Sequence, residues 1–209
     1  MKAILGHIIN MLPYMLITLP IYILVRFGIL KRNTKNWYHE ISLLFFVLFL
    51  VGLASQAMIP RIEFDMTGFH IVNAGVHKNN FIPFRFLAET YDEVFVKRNL
   101  NYFLVIFLGN IVMFMPLGFF VPLLWKIADR FVILLGFSFS LLIETSQLFL
   151  NRQTDVDDLM LNTVGVILGL LLYKLINWKN KNFIRKFRLD SENIYFPKGM
   201  KNYDKKSRL

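Results

Sequence analysis

Residues 143 to 165 read IETSQLFLNRQTDVDDLMLNTVG and hold most of the side chains in this chain that could do chemistry. Glu144, Asp155, Asp157 and Asp158 can accept hydrogen bonds, exchange a proton or ligate a hard cation. Arg152 lies between them as a counter-charge for the aspartates or for Glu144, and it could equally grip a phosphate. The spacing is ordered. Gln147 and Asn151 follow Glu144 at i+3 and i+7, which puts all three on one helix face. Asn162 stands at i+7 from Asp155 and i+4 from Asp158, again on a shared face. Two further polar residues sit among apolar neighbours: Asn110 in GNIVMFMPLGFF, and Arg85 in NNFIPFRFL.

These side chains must be positioned by very hydrophobic elements. The chain has 209 residues, of which 56% are hydrophobic and only 18% charged, against about 25% charged in a soluble domain. Apolar runs of roughly 20 residues recur, the length of a membrane span. They predict an all-α, polytopic membrane helical bundle with about five spans: Ile4–Leu24, Ile41–Ile59, Tyr102–Leu124, Phe131–Leu150 and Leu159–Ile176. At 1.5 Å per residue, Glu144 lies about 9 Å and Asn110 about 12 Å inside the ends of their spans. Asn162 hangs from the fifth span at a similar depth, so three spans carry polar groups toward one level. An ionisable group at that depth must be paired or face water, and it is a functional candidate by default.

Charge predicts orientation. Arg26, Lys31, Arg32 and Lys35, then Lys126 and Arg130, then a tail with eleven Lys or Arg against three acids from Lys174 onward, all fall on one side of a five-span chain. The positive-inside rule makes that side cytoplasmic, with the N-terminus outside and the C-terminus inside. The divisions are two N-terminal spans (1–60), an extracytoplasmic loop (61–101), three further spans to residue 177, and a basic cytoplasmic tail (178–209). The N-terminal apolar run is too long for a signal h-region and reads as a retained span. The net charge of +10 is explained by this distribution, and no nucleic acid is expected. The tail motif WKNKNFIRKFRLD interleaves aromatics with bases. It is either topogenic charge or a site for anionic lipid headgroups.

Local chemistry adds detail. TDVD fits a capping box with Thr154 as N-cap and Asp157 three residues later, making Asp157 the leading candidate for a purely structural aspartate. Pro116 predicts a kink near Asn110, and Gly165 with Gly169 forms a GxxxG pair for close helix approach. The segment NNFIPFRFL suits a stretch lying flat in the membrane interface, with Arg85 among headgroups, or alternatively a lid or re-entrant segment. There is no cysteine, the four histidines lack metal-ligand spacing, and no nucleophile or phosphate-loop motif is present.

With NFIPF, GNIVMFMPLGFFVPLL and IETSQLFLNRQTDVDDLMLNTVGVILG in place, the chain resembles the VanZ-like family of bacterial membrane proteins over roughly residues 79 to 177. The resemblance implies signature positions at Asn110, Pro116, Gly118, Glu144, Gln147, Arg152, Asp155, Asp158, Asn162 and Gly165, and no catalytic assignment. It also implies residence in the bacterial cytoplasmic membrane and an association with resistance to the glycopeptide teicoplanin. Three readings follow. A non-enzymatic envelope protein would bind a lipid, a lipid-linked precursor or an amphiphilic antibiotic at the polar cluster of Asn110, Glu144, Gln147, Arg152, Asp155, Asp158, Asn162 and Arg85, with no cofactor. A membrane enzyme acting on a phosphate-bearing lipid would use Glu144, Asp155 and Asp158 to hold Mg²⁺, with Arg152 or Arg85 on the phosphate. A structural cluster would only fix helix register. The missing nucleophile motif and the capacity of these charges to pair with each other favour the first.

Overall fold

The computed structural model describes residues 2–29, 36–58, 61–65, 68–72, 79–100, 103–150 and 154–188. Helix α1 (Lys2–Ile23) runs through Pro13 and Pro20 and ends in a π-helical turn, Leu24–Ile29. Helix α2 spans Trp37–Met58. Two short antiparallel strands follow, β1 (Arg61–Asp65) and β2 (Gly68–Val72), with Arg61 opposite Val72 and Asp65 opposite Gly68. Helix α3 (Arg85–Tyr91) continues into a π-helical turn, Asp92–Val96. A further π-helical turn, Phe103–Phe107, leads into α4 (Leu108–Leu124). Helix α5 is Asp129–Phe149, α6 is Val156–Lys179 and α7 is Lys181–Arg185.

The helical bundle expected from the apolar runs is present, and the β1–β2 hairpin is a local addition within the loop after α2. Among the described residues, four helices are long and apolar enough to cross a membrane: Met11–Gly28, Trp37–Ser55, Asp129–Phe149 and Val156–Lys179. The remaining expected span corresponds to α4, which is apolar but shorter, preceded by the Phe103–Phe107 turn.

Helix α4 and helix α6 pack most intimately, and glycine explains why. A Cβ on Gly165 would lie 2.2 Å from the Ile111 carbonyl oxygen, one on Gly169 2.0 Å from that of Met115, and one on Gly118 1.9 Å from that of Val166. Those distances are below any real contact, so the two backbones meet only because side chains are absent, as in small-xxx-small membrane interfaces. The GxxxG pair therefore grips α4. Around it Phe114, Leu117 and Val121 of α4, Val132 and Ile143 of α5, Val166 and Leu170 of α6, and Phe46 and Leu53 of α2 form the buried core.

The bundle has two distinct ends. At the turn end, α5 stops and α6 begins. At the tail end, α7 and the residues after it fold back onto the helices: Ile184 is buried, the Asn36 amide donates to the Arg188 carbonyl at 2.9 Å, and His39 Nδ1 meets the Phe187 carbonyl at 2.8 Å. The Arg26 guanidinium forms a buried two-point pair with Glu40 there, Nε to Oε2 at 2.8 Å and Nη2 to Oε1 at 2.5 Å.

Candidate functional site

The turn end collects the polar residues singled out above. Helix α6 starts one residue later than the capping-box reading predicts: Asp155, not Thr154, is the N-cap, and its Oδ1 accepts from Asp157 N at 2.8 Å. Aspartate caps as well as threonine does, and its shorter reach to i+2 fixes the start there. Thr154 is buried and instead donates its hydroxyl to the Glu144 carbonyl at 3.2 Å, tying the turn to α5.

The loop before α3 is stitched onto this turn. Asn80 pairs with Asp155 in an isolated parallel bridge, Asn80 N donating to Thr154 O at 2.9 Å and Val156 N to Asn80 O at 3.0 Å. The Asn80 side-chain amide also donates to Asp155 Oδ1 at 2.8 Å and to Asp157 Oδ2 at 3.3 Å. Asp157 is then the anchor of α3. Its Oδ1 accepts from Phe84 N at 2.6 Å and its Oδ2 from Phe86 N at 2.8 Å. It thus satisfies free N–H groups at a remote helix N-terminus, where a carboxylate also suits the dipole. Phe84 sits at φ 67°, a left-handed conformation costing about 1–2 kcal/mol for an L-residue. Hydrogen bonds to a charged acceptor, about 1.5–3 kcal/mol each, can hold it there. So Asp157 holds the loop before α3, not the capping box of its own helix that TDVD predicts.

Pinned at Asn80 and Asp157, the segment leaves Phe81, Ile82, Phe84 and Leu87 exposed, and α3 buries no residue. The segment is therefore an exposed apolar strip fastened to the polar turn. Arg85 does not join the carboxylates; its Nε pairs with Glu89 Oε1 at 2.7 Å on the exposed side of α3, the i+4 partner being nearer than the turn.

Beneath the turn, the three helices are linked in pairs. Asn110 of α4 donates to Asp158 Oδ1 at 2.5 Å. Glu144 of α5 is 5% exposed, and its Oε2 accepts from Asp155 N at 3.0 Å. Asn162 of α6 donates to Ser140 Oγ of α5 at 2.8 Å, both residues buried, and the Asn162 Oδ1 has no partner among the described residues. Interhelical hydrogen bonds of this kind contribute about 0.6–2 kcal/mol in membranes. Gln147 stays half-buried near the end of α5, where its carbonyl accepts from Leu150 N at 3.1 Å. Asn79, whose Oδ1 accepts from Thr154 N at 3.2 Å, Asn80 and Ser140 are participants that residue type alone does not mark. Ser140 lies one turn before Glu144 on the same face, and the amide pair lies two residues ahead of a proline-led turn.

The electrostatics are one-sided. Asp155 and Asp158 bear on Glu144 as like charges, and among the described residues none of Glu144, Asp155, Asp157 and Asp158 has an ion-pair partner. Arg152, the expected counter-charge, and Asn151 lie outside the described residues. At the mouth of the site, burial pushes the Asp155 carboxyl above its usual range. The neighbouring Asp157 and Glu89 carboxylates add to this, while the hydrogen bonds from Asp157 N and Asn80 oppose it. Among the described residues no group of three or more His, Cys, Asp or Glu side chains is placed to hold a metal ion.

A family model described as VanZ/LLP1 matches residues 41–177. The chain belongs to the VanZ/LLP1 family. The match begins inside α2, well before residue 79, and α2 is a working part of the bundle: Phe46 stacks on Phe120 of α4 at 5.8 Å between centroids. With its apolar helices, this VanZ/LLP1 chain is a membrane protein. No curated protein and no solved structure matches it.

Proposed function

We propose that this VanZ/LLP1 protein is a multi-pass protein of the bacterial cytoplasmic membrane that binds an amphiphile at its turn end. That end lies in the outer half of the membrane, with the N-terminus outside. The ligand is a lipid, a lipid-linked envelope precursor or an amphiphilic antibiotic of the teicoplanin type, and the role is non-enzymatic. The observation that carries this reading is Glu144: a buried carboxylate among like charges, beneath a loop whose apolar side chains face outward. Carboxylates and amides recognise hydroxyl, amide or amine donors, and the exposed strip of Phe81, Ile82, Phe84 and Leu87 suits an acyl or aromatic portion.

The cluster divides by task. Asn80, Asp155 and Asp157 spend their hydrogen bonds holding the loop. Glu144, Asp158, Asn110 and Asn162 lie deeper and form the recognition group, with Gln147 at its edge. Substituting Glu144→Gln keeps the shape and removes the charge. The variant is expected in the membrane at normal abundance, with any glycopeptide-resistance phenotype abolished when susceptibility and abundance are measured together. Loss of abundance alongside phenotype would assign Glu144 a structural role, and an unchanged phenotype would contradict the proposal.

A further inference from the structure

The tail end of the bundle carries a second feature, independent of the polar turn. Topogenic charge acts during insertion and needs no folded geometry, so a basic tail that serves only topology has no reason to dock. Residues 181–188 do dock. Ile184 is 1% exposed, Asn36 and His39 hold the Arg188 and Phe187 carbonyls, and the Arg188 guanidinium reaches the Tyr173 hydroxyl. Phe183 packs on Phe187 at 5.0 Å, and Phe187 on Tyr38 at 5.8 Å.

This fixed segment holds Lys179, Lys181, Arg185 and Lys186 exposed at one rim, and among the described residues none of the four has a carboxylate partner. Nearby bases are treated differently: Lys174 is paired with Asp129, and Arg26 with Glu40. Beside these bases stand Trp178, 76% exposed, and Phe183, 42% exposed, and the Lys186 ammonium lies over the Tyr38 ring at 5.7 Å. Exposed aromatic rings mark the depth of the headgroup boundary, and bases beside them lie at phosphate level. We propose that this rim is a binding surface for anionic phospholipid, which the fold, rather than a free tail, presents to the headgroups.

The full-length protein with Trp37→Phe and Trp125→Phe, in detergent and titrated with brominated phosphatidylglycerol or brominated phosphatidylcholine, reads this through quenching of the fluorescence of the remaining tryptophan, Trp178. This single-tryptophan parent is expected to prefer the anionic lipid by at least about tenfold. The triple variant Lys181→Gln, Arg185→Gln, Lys186→Gln is expected to lose that preference. Lys126→Gln with Arg130→Gln, removing bases from a different loop, is expected to keep it. Equal quenching of the parent by the two lipids would overturn the proposal, whatever the variants do. An equal loss in the Lys126 and Arg130 variant would overturn it too, since general surface charge would then suffice.

Discussion

Asp155 has two jobs that pull in opposite directions. As N-cap it must accept hydrogen bonds, which an ionised or a neutral carboxyl can do, while its burial disfavours the charge. Its folded pKa therefore lies above the ordinary value of 3.8, and the folded state binds the proton more tightly than the unfolded state does. The contribution is most favourable below the unfolded value and deteriorates as pH rises through the folded one. Asp155→Asn keeps an oxygen acceptor and cannot ionise. Its stability relative to wild type should rise as pH increases above the ordinary value of 3.8 in thermal unfolding. Asp155→Ala should instead lose about 1 kcal/mol of capping. A difference between Asn variant and wild type that is flat with pH would contradict this. At this scale the sequence was readable where residue type was unusual for its surroundings, as with Glu144, Asn110 and Asn162. It was unreadable where the partner is a backbone group from elsewhere: nothing local says that Asp157 serves Phe84 and Phe86.

The same bonds act on an element. Helix α3 buries no side chain fully; it is attached through Asn80, Asp157, the short bridge to the turn and the Phe86 ring, which packs on Phe107 at 5.5 Å between centroids. Asp157→Ala removes the acceptor for two backbone hydrogen bonds, from Phe84 N and Phe86 N, and for one from the Asn80 side chain. Amide exchange at Phe84 and Phe86 should accelerate by at least about tenfold while α4 and α6 stay protected. Unchanged protection at both amides would show that α3 is held by something else. Helices α4 and α6 need no such tether, because Gly118, Gly165 and Gly169 bring their backbones together over several turns. The GxxxG pair was legible because small residues at i and i+4 have few other uses in an apolar helix. Its match to Ile111 and Met115 was not, since any carbonyl ridge offers the same chemistry.

For the whole molecule, composition and span length indicate a helical membrane protein, and the family match over residues 41–177 agrees. Orientation rests on charge alone. The chain has no cysteine, so single cysteines can report it cleanly. A cysteine at Phe81 should react with an impermeant maleimide in intact cells, and one at Lys181 only after permeabilisation. The reverse pattern would invert the molecule and move the polar turn to the cytoplasmic side. The docked tail was beyond sequence reasoning, because it depends on Phe187 and Arg188 meeting Asn36 and His39, far away in the chain.

The central claim is that Glu144 helps hold an amphiphile, and mass spectrometry of molecules co-purifying with wild type and Glu144→Gln tests it most directly. The account predicts one amphiphilic species retained near stoichiometry by wild type and depleted from an equally folded Glu144→Gln protein. Identical profiles from the two proteins would contradict it.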